Sequence, residues 1–256
     1  MHTRRLFNGA LVTVGLLFPA CVGTEDGTES ETESETESES TNGIDVESAV
    51  DEDSSAHGTG PASFAILANA AVTCTGGSVK NNVGTNLAPP AGSVTTCAPV
   101  TGSVHVGDPA AKAAFANFLG KYAALAPKPG APCTVLTGTL AGVTLPPGNY
   151  CFTAAATLTG LLTLQGLPTD KWIFRIGTGG TGALTGTNFT IAMSGGAKAC
   201  NVRWWVSQAA TMTTSIFQGR ILAGAAITLT GGSMNGNAWS KADVTNTGAA
   251  ITGCAP

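Results

Sequence analysis

Past residue 53 the chain offers few side chains able to donate a proton, accept one or attack an electrophile. Beyond the linker the candidates are His105, Asp108, Asp170 and Asp243, and no Glu follows Glu52. Asp108 precedes Pro109 and reads as a helix cap. Asp170 sits in the turn Pro168-Thr169-Asp170-Lys171, and Asp243 closes Lys241-Ala242-Asp243. Glycoside hydrolysis needs a pair of carboxylates, and a β-helix lyase would bring acidic calcium ligands beside a basic catalytic residue. Neither cluster is visible. A Ser-His-Asp assembly through His105 stays open, although no Gly-x-Ser-x-Gly elbow occurs. There is no phosphate-binding loop, and the 34 glycines read as turn residues. The pattern argues against an enzyme, and neither a cofactor nor a metal is expected.

What the chain does repeat is threonine. An aliphatic residue, a Thr-Gly or Thr-Thr step and a small or hydroxyl residue recur at Leu158-Thr159-Gly160-Leu161, Leu184-Thr185-Gly186-Thr187-Asn188 and Met212-Thr213-Thr214-Ser215-Ile216. The phrase returns at Leu229-Thr230-Gly231-Gly232-Ser233-Met234 and Thr245-Asn246-Thr247-Gly248-Ala249. Successive copies lie roughly 17 to 28 residues apart, the period of a solenoid coil. Alternation around each one, with Gly at the corners, reads as strand-turn-strand. Stacked coils would line the threonines into ladders spaced by about 4.7–4.9 Å. A flat ladder of threonine is unusual chemistry to build a molecule around.

The elements that must carry this face lie within 256 residues. Met1 to Ala20 has a basic start and an apolar stretch too short to span a membrane, and reads as an export signal. Leu16-Leu17-Phe18-Pro19-Ala20-Cys21 resembles a lipobox, which makes Cys21 the expected lipidation site. Residues 21–60 read as an acidic Ser/Thr/Glu tether without apolar periodicity, leaving 61–256 as the folded domain. All but three of the 16 acidic residues fall by position 53, while ten of the 12 Lys and Arg follow it. Those cations stand singly, with no basic run to favour nucleic acid. The expected location is the outer membrane or cell surface, or otherwise the medium, with a membrane touched only through the N-terminal lipid. Six cysteines remain without Cys21: Cys74, Cys97, Cys133, Cys151, Cys200 and Cys254. An even set in an exported chain reads as disulfides. Fifteen pairings are open, and the nearest-neighbour set is the expectation.

Within the domain, Ser63–Ala68 and Ala71–Thr75 read as short strands and Val79–Thr101 as a Pro-, Gly- and Thr-rich loop region. A helix is expected at about 109–126, with Phe115, Phe118, Leu119, Tyr122 and Leu125 at helical spacing. Its apolar stripe must lie on a side of the solenoid. Strand and turn follow from Thr134 to Gly253. Trp172–Ile176 and Val202–Val206 are the most apolar strands, and of Trp204 and Trp205 one must point outward unless the helix covers it.

Taken in order, Ser63-Phe64-Ala65-Ile66-Leu67-Ala68, Gly102-Ser103-Val104-His105-Val106-Gly107-Asp108, Pro147-Gly148-Asn149-Tyr150-Cys151-Phe152, Trp172-Ile173-Phe174-Arg175-Ile176-Gly177 and Phe217-Gln218-Gly219-Arg220-Ile221-Leu222-Ala223 resemble the bacterial and fungal ice-binding proteins of the DUF3494 family. The resemblance spans nearly all of 61–254. It implies a mainly β fold, a discontinuous three-faced right-handed β-solenoid with one long α-helix packed alongside. It also implies a monomer that adsorbs to an ice crystal surface through one flat face, where a Thr-Ala/Gly-x-Thr/Asn motif has been associated with activity. Thr185-Gly186-Thr187-Asn188 fits that motif. The face so implied comprises Thr157, Thr159, Thr185, Thr187, Asn188, Thr211, Thr213, Thr230, Ser233, Thr247 and Ala249. Lys241 or Asp243 on it would disrupt it. The rival reading is a non-enzymatic surface adhesin or structural module sharing the fold without binding ice, since fold does not fix function.

Overall fold

The computed structural model describes residues 63–97 and 99–254. The expected export signal, Cys21 and the acidic tether lie outside these residues. The described chain begins with β1 (Phe64–Ala68), β2 (Ala71–Thr75) and β3 (Ser78–Lys80), and turns again through β4 (Asn82–Thr85), β5 (Ser93–Thr95) and β6 (Pro99–Thr101) to β7 (Val104–Val106). Helix α1 (Pro109–Leu125) follows, then β8 (Thr134–Val135), β9 (Val143–Leu145) and β10 (Gly148–Phe152). The long strands β11 (Ala156–Gln165), β13 (Leu184–Ser194), β15 (Ala210–Gln218) and β17 (Ile227–Asn235) alternate with the short strands β12 (Trp172–Ile176), β14 (Val202–Val206) and β16 (Arg220–Ala223). The last turn is β18 (Ala238–Ser240), β19 (Val244–Thr247) and β20 (Ala250–Thr252).

The strands form two parallel sheets. The first runs β7-β4-β1-β18-β16-β14-β12-β10-β8. The second runs β5-β2-β19-β17-β15-β13-β11-β9, and its long strands bend midway: β17 pairs with β19 through its first half and with β20 through its second. Three flat faces result. Stacking order departs from chain order, because β1 lies beside β18, β2 beside β19 and β3 beside β20. The helix thus carries the chain from the coils stacked on its C-terminal end back to the opposite end. Val79–Thr101, expected as loop, is instead most of a coil. Its three- and four-residue strands are too short, and too interrupted by Pro and Gly, to show alternation.

Side chains facing inward fill the solenoid. Tyr150, Phe174 and Trp204 occupy one register position on β10, β12 and β14, and their rings stack with centroids 5.3 Å and then 3.9 Å apart. On the outer side of the first sheet Leu67, Trp205, Leu222 and Trp239 pack against Ala111, Ala114, Phe115, Phe118 and Leu125 of α1. Trp205 is therefore the outward tryptophan, covered by the helix, and its ring N–H donates to Tyr122 O at 3.0 Å. Leu119, expected in the stripe, is 38% exposed. The buried row steps 115, 118, 122, 125, which leaves 119 on its flank. Disulfides join Cys74 to Cys97, Cys133 to Cys151 and Cys200 to Cys254.

Asp108 starts the helix. Its Oδ1 accepts from Ala111 N at 2.8 Å, and its Oδ2 lies 2.7 Å from His105 Nδ1. Partial burial pushes the carboxyl pKa up. The Ala111 amide and His105 outweigh it, and the group is held below its ordinary value. Its contribution to stability is therefore complete above the unfolded value of about 3.9 and is lost as pH falls through the lower folded value. Asp108→Ala should lower stability by about 1 kcal/mol at neutral pH. In urea unfolding the gap from the parent should close below about pH 4; a gap independent of pH would refute the charged cap. Two corners before the first sheet, at Gly219 and Gly236, demand glycine. A Cβ on Gly236 would lie 1.8 Å from Gly219 O in the coil beside it. Gly236→Ala should cost about 2–4 kcal/mol, and an unchanged denaturation midpoint would contradict this close approach.

Candidate functional site

One face of the solenoid is built from threonine. On β11, β13, β15, β17, β19, β2 and β5 the residues Thr157, Thr185, Thr211, Thr228, Thr245, Thr73 and Thr95 are direct partners from strand to strand. Two residues on, Thr187, Thr213, Thr230, Thr247 and Thr75 form a second rank. Thr159 extends it at the irregularity within β11, and donates its backbone N–H to Thr139 O at 3.2 Å. Both ranks point outward because the residue between each pair points in. Leu158, Gly186, Met212, Leu229, Asn246 and Cys74 share that inward position. The spacing is about 4.8 Å across strands and about 6.7 Å along them. Neither rank contains a charge.

The residue after each pair makes the corner. Gly160, Asn188, Thr214, Gly231, Gly248 and Gly76 have φ between 48° and 77°, and on β5, which has no second threonine of the pair, Thr96 turns directly after Thr95 with φ 56°. This left-handed turn swings the chain onto the third face, which explains the recurrent Thr-Gly, Thr-Asn and Thr-Thr steps of the sequence. Asn246 supports one corner from within. Fully buried, it accepts from Ala249 N and donates to Ala249 O. The Cys74–Cys97 bridge lies behind the face, and the Thr96 hydroxyl donates to Cys74 O.

This geometry sorts the residues expected on the face. Thr157, Thr159, Thr185, Thr187, Thr211, Thr213, Thr230 and Thr247 lie on it. Asn188 does not, being the left-handed corner of its coil. Ser233 lies past the corner, in rank with Ile216 and Ala250 on the third face. Ala249 is 2% exposed and bonded to Asn246, so it offers no surface. Thr228, Thr73, Thr75 and Thr95 join the face although the repeated phrase did not contain them, and Thr245, which it did contain, joins it although it was not expected there. The signal that finds all of them but Thr95 is an apolar residue followed by Thr-x-Thr, as in Val72-Thr73-Cys74-Thr75-Gly76. Neither suspect charge falls in either rank. Lys241 Nζ lies 4.9 Å from the ring centre of Tyr122, whose phenol is pushed up by burial, and Asp243 Oδ1 accepts from Ala71 N at 2.9 Å.

The third face is mixed, with Leu161 and Ile216 each 47% exposed and Lys80 on β3, between β20 and β6. The acidic groups hold the fold: Asp108 caps α1, and Asp170 Oδ2 accepts from Leu167 N at 2.7 Å. His105 pairs with Asp108 and packs its ring edgewise on Phe64. No group of three His, Cys, Asp or Glu among the described residues could hold a metal ion.

A three-faced parallel β-solenoid, with a helix along one face and an uncharged threonine array on another, is the class of protein these features define. The chain belongs to the ice-binding-like family, whose model matches residues 66–252. An ice-binding protein of Nostoc sp. (strain HG1) is 38% identical over 176 residues, which cover 66% of this chain and 62% of that protein. One from Colwellia sp. is 30% identical over 199 residues, 71% of this chain and 77% of that protein. Among solved structures, the ice-binding protein of Antarctomyces psychrotrophicus superposes with a TM-score of 0.65 at 30% identity, covering 76% of this chain and 96% of that one. The DUF3494 domain of Shewanella frigidimarina ice-binding protein_1 gives 0.68 at 27% identity, covering 77% and 96%.

Thr214 is a β-branched residue in the left-handed region, at a corner where most of its counterparts are Gly. Thr214→Gly should raise stability by about 0.5–1 kcal/mol, the relieved strain exceeding the added freedom of the unfolded chain. A lower denaturation midpoint would show that the corner carries no such strain.

Proposed function

We propose that this chain binds ice through the Thr-x-Thr face and arrests crystal growth. The observation that carries the reading is the in-register threonine array, two ranks deep and free of charge. Each hydroxyl can hold a water and each methyl group limits how neighbouring waters orient. On a face whose positions are fixed by strand pairing, water is ordered before contact, and adsorption costs little reorganisation. Single contacts are weak, and their number on a stiff surface makes the bound state persistent. That related proteins are ice-binding proteins supports the same reading.

Around this activity we place an export signal at 1–20, lipidation at Cys21 and a spacer from 21 to 60 that holds a monomeric, non-catalytic solenoid off the cell surface. Secretion into the medium is the alternative if Cys21 is not modified. Mass spectrometry of the exported protein checks this: an acylated Cys21 at the new N-terminus is expected, and any other N-terminus refutes the anchor.

Ice recrystallisation tests the face. The oxidised protein should keep crystals small. Thr228→Tyr and Thr230→Tyr, in the middle of the array, should each coarsen them to the level of buffer, while Thr252→Tyr on the third face should not. Coarse crystals with the folded parent would remove ice binding and leave a surface module of another kind. Coarsening by Thr252→Tyr alone would move the site to the third face.

A further inference from the structure

Pairing between the coils is interrupted at the edge of the threonine face. Between β13 and β15 it lapses after Thr187–Thr213 and resumes at Thr190–Ile216. Between β17 and the strands β19 and β20 it lapses after Thr230–Thr247 and resumes at Ser233–Ala250. β15 and β17 rejoin sooner, at Ser215–Gly232, because Gly232 admits the close approach: a Cβ there would lie 2.2 Å from Ser215 O. Each of the two gaps holds a buried polar side chain. Ser215, 3% exposed, accepts from Phe189 N at 3.3 Å and donates its hydroxyl to Thr213 O at 3.0 Å. One hydroxyl thus ties a second-rank threonine to the neighbouring coil, across the adjacent corners Asn188 and Thr214, at φ 48° and 50°. Asn246 works within its own coil, around the corner at Gly248. Its Oδ1 lies 3.1 Å from Ala249 N and its Nδ2 3.2 Å from Ala249 O. Phe189 and Ala249 are themselves buried, so neither amide can turn to solvent instead.

We propose that Ser215 and Asn246 are positioning residues of the threonine face, which hold its second rank in place where the backbone ladder lapses. The proposal rests on the ice reading and deepens it. A parallel ladder fixes side chains only as far as its hydrogen bonds run. At Thr187, Thr213 and Thr247 a stretch of pairing ends, and each of these threonines is followed directly by its corner. Removing Ser215 or Asn246 leaves a buried amide, at Phe189 or Ala249, without its acceptor, which costs more than an ordinary hydrogen bond contributes. The corner must then shift to recover a partner, and the threonine before it shifts too. No outward residue is changed by this. What changes is the regularity of the rank, and a surface that acts through many weak contacts in step depends on that regularity. The sequence hides both residues. Ser215 stands inside its Thr-rich phrase as though it were one more hydroxyl of the face, and Asn246 stands between two threonines.

The test uses the full chain, oxidised, in the ice recrystallisation assay. Ser215→Ala and Asn246→Leu, the latter matching its rank partner Leu229, are compared with Asp108→Ala on the helix, a control for lost stability alone. Circular dichroism first establishes that each variant is folded at the assay temperature. The lowest concentration that keeps crystals small should rise at least about fivefold for Ser215→Ala and for Asn246→Leu, the equivalent of about one hydrogen bond. For Asp108→Ala, remote from the face, it should stay within about twofold of the parent. Amide exchange supplies the second readout. At Phe189 it should quicken at least about tenfold in Ser215→Ala, while the amides of the first sheet keep their protection. Should Ser215→Ala not fold, the parent itself carries the test, because its Phe189 and Ala249 amides should exchange as slowly as those of the paired strands. Fast exchange at both in the parent would overturn the proposal. So would variants as active as an active parent, which would leave the two side chains a role in stability only. Equal losses in all three variants would do the same. A folded parent without activity is the distinct outcome that removes the ice reading, and this proposal with it.

Discussion

Hydrogen bonding between parallel coils ties each residue to one above and one below at a fixed spacing, so the task of a side chain is set by its rank and not by its neighbours in sequence. Everything else in the solenoid follows from that constraint. A rank that points inward must be apolar and of matching volume, as with Tyr150, Phe174 and Trp204, or must satisfy itself, as buried Asn246 does. A rank at a corner must tolerate the left-handed region. A rank that points outward is free of both demands. On the face bearing Thr185 and Thr187 that freedom has been filled with one residue type throughout. The regularity of the array is the regularity of the backbone beneath it.

The three faces divide the work of the molecule. One is closed by α1, which buries Leu67, Trp205, Leu222 and Trp239 and gives the first sheet a second hydrophobic layer. That layer stiffens the stack from behind the threonines. The cations collect on this helix side, at Arg203, Arg220 and Lys121. The threonine face is left with hydroxyls and methyl groups. The third face, with Leu161 and Ile216 exposed beside Thr190 and Ser233, shows what an outward rank looks like when no single demand orders it.

Much of this was legible in the sequence, because alternation and left-handed corners leave local marks. The Thr-Gly and Thr-Thr steps located the corners, Asp108-Pro109 located the helix start, and the apolar runs at Trp172 and Val202 located the first sheet. What escaped is non-local. The coil at Val72-Thr73-Cys74-Thr75 reads as a strand, but only stacking against β19 puts it on the threonine face, and chain order says nothing of that neighbour. Ala249 and Ser233 fell on the wrong side of a corner because one glycine or two can make the turn. Ala249 then packs inward, while Ser233 begins the next face. Leu119 sits one position off a stripe whose exact azimuth depends on where the sheet lies. The arginine pair became a pair only when β14 and β16 were laid side by side.

Placing β1 against β18 has a consequence for how the molecule is made. Phe64 O accepts from the side chains of Asn237 and Trp239, contacts spanning 173 and 175 residues. Such separations are slow to close, since the loop entropy must be overcome before any contact rewards it. The middle coils, β11 to β17, pair with near neighbours in the chain and can form first. The opening strands must wait for the closing ones, because the stack they join does not exist until β18, β19 and β20 are in place. A chain that emerges from the ribosome N-terminus first therefore cannot finish its fold while it is being made. It completes the stack, and with it the far end of the threonine face, only after the last strands have emerged.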